Sequence, residues 1–560
     1  MPDIEDSFDV RTPIKANIGK SDENFFNIKI RAKKQKNEYA DELKSEKNSN
    51  PLGSVLSWQK RVYLRTWGCS HNNSDSEYMS GLLTKAGFTV TSSKDLADLW
   101  LLNSCTVKTP SENLLVNQIK DAQNNGKKVC VAGCVSQAAP NEPWLKDVSI
   151  VGVQQIDRIV EVVDETIKGN VVRLLSQRRK DNLPLNLPKM RRNEFIEILA
   201  INSGCLNNCT YCKTKMARGD LRSFDLDSLV EQARKAYEEE NCKEVWLTSE
   251  DLGAWGRDIG HVLPDLLEEL VKVIPEGCMM RLGMTNPPYI LDYLEDMAKI
   301  LNHPRVYSFL HIPVQSGSNA VLTDMKREYT VEQFAHIVDY MKEHVPDIYI
   351  ATDFICAFPT ENKEDFEESL ALVKKYEFPS LFINQFYPRP GTPAARLRKV
   401  ETTEAKERTK EMTKLFHSYR RYTDHRIGMQ YEVLICEMAT DGISYVGHNK
   451  SYEHILVAPP ADCRSLLGQR VRVEIVETAK FYMKGAIVEA PPVHKTDVLA
   501  DIKLDPYRNY NCGMATTRMP EARVLNGMDV ERGEWPWLAY ISITTGDMTG
   551  SCTGTIISQR

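Results

Sequence analysis

The sequence predicts an α/β protein built as an N-terminal parallel α/β domain, a partial (β/α)6 barrel and a small antiparallel β-barrel. Three observations predict it. Strand-like and helix-like patterns alternate from Arg61 to Ala132. The same alternation recurs six times between Glu194 and about Ile427. Repeats of this kind pair their strands in parallel through helical crossovers. Short strands without helices between them then fill 430–490, which is the pattern of a small closed barrel.

Taken in order, residues 1–59 are polar and charge-rich, with the basic run Arg31–Lys36. A stretch this poor in apolar residues reads as a disordered, solvated arm. Order is expected over 60–176, with strands at Arg61–Trp67, Asp98–Asn103 and Lys128–Ala132 and helices near Asp75–Ala86 and Ser111–Asn124. A basic, proline-bearing linker covers 177–193. The barrel, 194–427, takes strands at Phe195–Asn202, Glu244–Ser249, Met280–Thr285, Tyr307–Ile312, Tyr349–Phe354 and Leu381–Phe386. Segments with helical apolar periodicity, such as Asp225–Glu239 and Val331–Glu343, fill the intervals. In such a barrel the chemistry belongs at the carboxyl ends of the strands. The last module, 428–491, has strands at Tyr431–Cys436, Glu453–Val457, Arg470–Val476 and Phe481–Val488.

Composition narrows the function classes. Hydrophobic content of 42% and charged content of 26% are those of a globular chain. A net charge of −6 does not mark a nucleic-acid binder, so RNA affinity has to come from local patches. No apolar run reaches membrane-spanning length. The first ten residues are acidic and lack the apolar core of a secretory signal. The expectation is a cytoplasmic protein, and in that reducing setting its 14 cysteines read as metal ligands or redox groups.

Three of them stand together. Cys205, Cys209 and Cys212 follow the first barrel strand within eight residues, and the nearest later cysteine is Cys242. A structural zinc site wants four protein ligands and an ordinary four-iron cluster four cysteines. Three soft thiolates leave one iron open to a small-molecule ligand. The rival reading, a zinc knuckle or three unrelated core thiols, does not account for their place at a strand end. Three further cysteines lie far apart in sequence at equivalent places. Cys69, Cys105 and Cys134 each come just past one of the first three strands, along the edge where parallel sheets gather ligands. They are expected to converge into a second three-cysteine set. Cys130, inside a strand, reads as a core thiol.

The C-x3-C-x2-C spacing resembles the radical S-adenosylmethionine superfamily. Two three-cysteine sets followed by a small β-barrel are similar to the methylthiotransferase family, whose domain order is methylthiotransferase, radical S-adenosylmethionine and TRAM. Thr66–Asp75, Leu101–Val107, Gly152–Asp157, Thr248–Asp251, Arg281–Pro288, His311–Ser316 and Asn384–Thr392 resemble its eukaryotic threonylcarbamoyladenosine branch. The resemblance covers about 60–490. It implies methylthiolation at C2 of N6-threonylcarbamoyladenosine, at position 37 of a tRNA substrate. It also implies two [4Fe-4S] clusters, on Cys205, Cys209 and Cys212 (the catalytic set) and on Cys69, Cys105 and Cys134, together with S-adenosylmethionine. An unactivated adenine C–H yields to a carbon radical and not to a side-chain base, so the cofactor supplies the chemistry.

By the same resemblance Thr248–Asp251 meets the amino group of S-adenosylmethionine. Glu250 is the expected contact, with a helix cap as the rival reading, and Ser249 and Gln315 are cofactor-binding candidates. His311 is a weaker one, or a satisfied core histidine. Lys480, Phe481, Tyr482 and Lys484 would grip RNA by charge and stacking, or form a solvated turn. Methylthiolation of isopentenyladenosine or of a ribosomal-protein aspartate, and a non-catalytic iron–sulfur RNA-binding protein, stay as alternatives. The electron donor is not legible.

Two departures from the family stand out. The usual G-F-P-G-E-T reads Ala357-Phe358-Pro359-Thr360-Glu361-Asn362, so a glycine is lost where a positive φ would need one. The hydrophobic endoplasmic-reticulum anchor usual in eukaryotic relatives is not expected, since 492–560 holds no apolar run of that kind. Instead 492–560 resembles the start of a trypsin-like serine protease, with Arg523–Val524 as an activation bond, and stops before any triad. This tail is expected to be disordered and inactive, the product of a fused gene model.

Overall fold

The computed structural model describes residues 60–106, 109–175, 184–460 and 465–489, and four strands beyond them. The arm at 1–59 lies outside the described residues. By contact density 1–458 with 466–489 form one unit, and 459–465 with 490–560 another.

The first unit opens with a six-stranded parallel sheet where three strands are expected. Its strands are β1 (Arg61–Thr66), β2 (Thr89–Thr91), β3 (Leu99–Ser104), β4 (Lys128–Gly133), β5 (Ser149–Val151) and β6 (Arg173–Leu174), in the order β2-β1-β3-β4-β5-β6. β2, β5 and β6 are two or three residues long, too short to show an apolar period. β3 is buried throughout, as Leu-Trp-Leu-Leu implies for a strand covered on both faces. Helices Ser70–Lys85 and Thr109–Asn124 lead out of the sheet's carboxyl edge.

The described part of the linker, 184–193, is a strap pinned by charge. Lys189 Nζ is buried between Glu77 Oε2 at 3.2 Å and Glu197 Oε1 at 2.8 Å, and it donates to the Ile198 carbonyl at 2.6 Å. Arg191 pairs with the other Glu197 oxygen at 2.6 Å and with Glu240. Glu77 lies on the first helix and Glu197 inside the first barrel strand. The basic composition therefore offsets two buried carboxylates that would otherwise be prohibitive.

The partial barrel takes β7 (Ile196–Ala200), β8 (Glu244–Thr248), β9 (Met279–Arg281), β10 (Phe309–His311), β11 (Tyr349–Cys356) and β12 (Ser380–Gln385). They form two parallel triplets, β9-β8-β7 and β10-β11-β12. Single parallel bridges, Met280 to Val306 and Met284 to His311, join the triplets. The six-fold β–α reading holds. β9 is shorter than expected, because the chain leaves the sheet after Arg281. Amphipathic helices such as Leu226–Glu238 and Val331–His344 cover the outside, each with a side-chain N-cap, Asp225 and Thr330.

The final module is a closed five-stranded barrel, β13 (Gln430–Met438), β14 (Tyr445–His448), β15 (His454–Val457), β16 (Gln469–Thr478) and β17 (Met483–Glu489). Around it the order is β13-β14-β15-β17-β16, and the β15–β17 pair is parallel. An all-antiparallel barrel is thus corrected at one seam, where a connection crosses over and closes the sheet. Its core is continuous with side chains from the amino ends of the large barrel's strands, including Ile196, Trp246, Met279 and Tyr307. The small barrel plugs the end opposite the carboxyl edge.

In the second unit two antiparallel pairs are described, Arg523–Leu525 with Met528–Val530 and Leu538–Thr545 with Met548–Thr555. No order is expected there from the sequence; the rest of that tail lies outside the described residues. Among the described residues no helix is long and apolar enough to cross a membrane.

Candidate active site

The cysteine loop leaves the barrel at Gly204. Its φ is +78°, and a Cβ there would stand 2.0 Å from the Asp220 carbonyl oxygen, so the turn requires glycine. Cys205 N donates to Gly219 O at 3.1 Å. Thr210 ties the loop's middle to the Asp324 and Met325 carbonyls, and Ala394 N donates back to Thr210 O at 2.9 Å. The aromatic residue before the last cysteine is an anchor: Tyr211 is buried edge-on against Phe358.

Cys205, Cys209 and Cys212 are all half-buried and line one cavity of about 300 Å³. Cys69, from the edge of the first sheet, lines the same cavity. N–H groups point at the sulfurs, with Arg327 Nη1 donating to Cys209 Sγ at 3.0 Å and Thr214 N to Cys212 Sγ at 3.4 Å. Burial raises the Cys205 and Cys209 thiols, and Arg327 pulls Cys209 back down. Among the described residues no three His, Cys, Asp or Glu side chains close tightly enough to hold a single metal ion. A four-iron cluster asks for a different arrangement, one thiolate per iron around a shared volume. Three soft donors on the wall of one cavity, with N–H groups at two of their sulfurs, fit that demand.

The second set is built around Asn72. Its Nδ2 donates to Trp67 O at 2.8 Å and Ser104 O at 2.9 Å, and its Oδ1 accepts from Cys134 Sγ at 3.6 Å. A Cβ on Gly68 would lie 2.9 Å from that Nδ2 and 2.8 Å from the Cys105 Cβ. One amide therefore touches the immediate surroundings of Cys69, Cys105 and Cys134. Cys130 is fully buried in β4, its thiol pushed by burial to about 12.

The cofactor-binding candidates divide. Ser249 lines the cavity and its Oγ accepts from Asp251 N at 2.8 Å. Gln315 lines it as well, wholly buried and at φ +72°, a conformation that β-carbon residues hold only when the surroundings impose it. Glu250 is at the wall, but its Oε1 is 3.0 Å from Arg218 Nε and 3.3 Å from His71 Nδ1. Burial alone would raise this carboxyl; His71 and Arg218 hold it at about 2. That oxygen is already engaged with side chains of this chain. His311 is the satisfied core histidine, its Nε2 2.5 Å from Asp353.

Sequence reasoning missed a polar frame beside the cysteines. Asp251 accepts from Asn286 Nδ2 at 2.6 Å, Asn286 N at 3.1 Å and Asn207 Nδ2 at 3.2 Å, and burial pushes it up to about 6. Arg327 reaches Asn286 Oδ1 with its other terminal nitrogen. Asn384, Gln385 and Arg389 complete the far wall from β12 and the loop after it. The 384–392 motif contained these last three without showing which face they take.

Of the two readings of the 480–484 turn, an RNA grip or a solvated turn, Lys480 and Phe481 follow neither. Lys480 Nζ donates to Phe416 O at 2.6 Å and to Tyr419 O, and lies 4.2 Å and 4.3 Å from the centres of their rings. Phe481 packs on Phe416 and His417. Both side chains dock the small barrel on helix Thr402–Ser418. Lys484 is half-exposed and paired with Glu477 at 2.8 Å.

Known proteins cover the same ground. Residues 199–373 match the radical SAM superfamily, and 61–151 match an uncharacterised protein family, UPF0004. A threonylcarbamoyladenosine tRNA methylthiotransferase of Danio rerio is 53% identical over 500 residues, 88% of each chain. That of Homo sapiens is 56% identical, covering 81% of this chain and 79% of its own. A probable one from Pyrococcus horikoshii is 33% identical over 76% of this chain and 99% of its own. Nothing in these matches supports a protease-like tail. Likeness to solved structures is remote: TsrM of Kitasatospora setae reaches a TM-score of 0.46 at 14% identity, over 60% of this chain and 77% of that one. The curated relatives therefore carry the assignment, and by identity and coverage this chain belongs to the threonylcarbamoyladenosine tRNA methylthiotransferase family.

Proposed function

We propose that this chain is a radical S-adenosylmethionine methylthiotransferase acting on tRNA. It converts N6-threonylcarbamoyladenosine at position 37 to its 2-methylthio derivative. The observation that carries the reading is the shared cavity, lined by Cys205, Cys209 and Cys212 from the barrel and by Cys69 from the first sheet. A sulfur source and a radical source have to meet one substrate atom, and a common cavity brings them together.

Cys205, Cys209 and Cys212 would hold one [4Fe-4S] cluster, and Cys69, Cys105 and Cys134 a second. Bound at the first, S-adenosylmethionine supplies the radical that takes hydrogen from adenine C2. The chain's own contribution is orientation. Arg327 holds the Cys209 sulfur, and the Asp251–Asn286–Asn207 frame fixes the floor beside it. Ser249 and Gln315 offer polar groups to the cofactor. Asn384, Gln385 and Arg389 give the far wall a polar, cationic character. That wall suits the carboxylate and hydroxyl of a threonylcarbamoyl group better than an apolar isopentenyl chain. The chain is proposed to divide at 60–176, 194–427 and 428–491.

The test is expression of residues 1–495 in cells that lack their own tRNA methylthiotransferases, with digested tRNA nucleosides read by mass spectrometry. The expected product is 2-methylthio-N6-threonylcarbamoyladenosine, absent with Cys205→Ala. Methylthio-isopentenyladenosine alone would overturn the substrate and keep the chemistry. Neither product from soluble, iron-loaded protein would favour the non-catalytic reading.

A further inference from the structure

Arg218 closes the short helix Thr214–Arg218, six residues beyond Cys212 in the chain, yet its guanidinium sits in the other cysteine site. It is 2% exposed. Nη2 donates to Asn72 Oδ1 and Asp75 Oδ2, both at 2.7 Å, and Nε lies 3.0 Å from Glu250 Oε1. His71 Nδ1 stands 3.3 Å from the same Glu250 oxygen. Ala217, its neighbour, packs with Cys134 and Val153 in a small apolar cluster. A fork of this kind can hold two acceptors in one plane, which an ammonium cannot.

Asn72 is the residue that touches the surroundings of Cys69, Cys105 and Cys134, so whatever fixes its Oδ1 fixes the register of all three strand ends. We propose that Arg218 is a positioning residue that joins the two cysteine sets: it locks Asn72 over the N-terminal three and places a buried positive charge beside their sulfurs. The inference rests on the reading that Cys69, Cys105 and Cys134 hold a cluster. Outer partners of this sort set ligand orientation and cluster potential. A fixed cation favours the reduced, more negative form. Removing it drives the potential down.

The experiment is a potentiometric titration, read by electron paramagnetic resonance, of the full chain reconstituted with iron and sulfide. A Cys205→Ala/Cys209→Ala/Cys212→Ala background isolates the N-terminal signal. Arg218→Met is expected to shift that midpoint to more negative potential, and Arg218→Lys to bring it most of the way back. In the complementary Cys69→Ala/Cys105→Ala/Cys134→Ala background, Arg218→Met should leave the midpoint of the other cluster in place. An unchanged N-terminal midpoint in an iron-retaining Arg218→Met protein overturns the inference. Should Arg218→Met fail to fold, Asn72→Asp sets a carboxylate against the same sulfurs and must lower the midpoint too, or the inference falls. If the first background binds no iron while the intact chain binds about four per molecule, the cluster reading itself fails, and the inference with it.

Discussion

Arg327 Nη1 lies 3.0 Å from the sulfur of Cys209, and the same side chain reaches Tyr329 OH with Nε at 3.2 Å. This guanidinium bonds a cysteine of the barrel set and is itself held from two sides, by Tyr329 and Asn286. A hydrogen bond to an ionised sulfur contributes roughly 1.5–3 kcal/mol. Loss of that bond should slow the step that depends on the cluster by about ten- to a hundred-fold. Arg327→Ala is expected to depress reductive cleavage of S-adenosylmethionine by that factor, measured as 5′-deoxyadenosine released, while Cys205→Ala abolishes it. Arg327→Ala protein that cleaves at the parental rate would reduce Arg327 to a packing residue.

Beneath the large barrel, Glu244 accepts from Tyr307 OH at 2.6 Å and Trp246 Nε1 at 2.7 Å. Burial, only partly opposed by those donors, raises its carboxyl to about 7. The folded chain therefore keeps a proton that the unfolded chain releases near pH 4.5. Stability from this group is full below about 4.5 and is lost as pH rises through about 7, on the order of 3 kcal/mol in all. His454, which burial lowers to about 4, acts in the opposite sense, so the whole-protein profile mixes the two. The difference between Glu244→Gln and parent isolates the glutamate. The variant should gain relative stability from about pH 4.5 to about pH 7 in denaturant unfolding, and level off above that. A flat difference would mean that Glu244 is ionised in the folded chain.

Ala357 stands at φ +60°, in the left-handed region that favours glycine. Its N–H donates to Glu361 Oε1 at 2.9 Å, and Arg408 Nη1 holds that oxygen at 2.7 Å. The clamp keeps the turn in a conformation that costs a β-carbon residue about 1 kcal/mol. Ala357→Gly should raise the urea midpoint by about that free energy, less a few tenths for glycine's unfolded-state entropy. Methylthiolation should be unchanged, because the turn keeps its geometry with either residue. A lowered midpoint would show that the alanine methyl contributes packing that outweighs the strain.

Legibility in the sequence followed the range of the interaction. The long strands were readable, and with them the places of the cysteines: Cys69, Cys105 and Cys134 come one to three residues past β1, β3 and β4, and Cys205 opens the loop after β7. β2, β5 and β6 were not, because two or three residues carry no period and their pairing is decided by the neighbouring strand. Arg218 and Asn72 were invisible for another reason. They are 146 positions apart, and an arginine at the end of a five-residue helix looks like a solvated charge until the sheet edge closes over it. The linker's burial was as little legible: nothing in its basic composition shows that Lys189 is buried between Glu77 and Glu197. Lys480 was misread on the same ground, since RNA contact and solvated turn both expose it, its charge being obvious and its acceptors distant.

That last misreading yields the sharpest separation of roles in the small barrel. Lys480 caps the carbonyl end of helix Thr402–Ser418 through Phe416 O and Tyr419 O, where a cation complements the helix dipole. Burial lowers it to about 8, the direction expected of an ammonium taken out of water. Lys484, four residues on, is half-exposed. Lys480→Met keeps the stem and removes the charge, so it should cost about 1–2 kcal/mol of stability. It should leave the slope of log tRNA affinity against log salt unchanged. Lys484→Met should do the reverse, sparing stability and flattening that slope by roughly one unit if the lysine neutralises a phosphate. A flattened slope in Lys480→Met would mean that this lysine leaves its helix to bind RNA, and that the small barrel is not fixed to the large one by this contact.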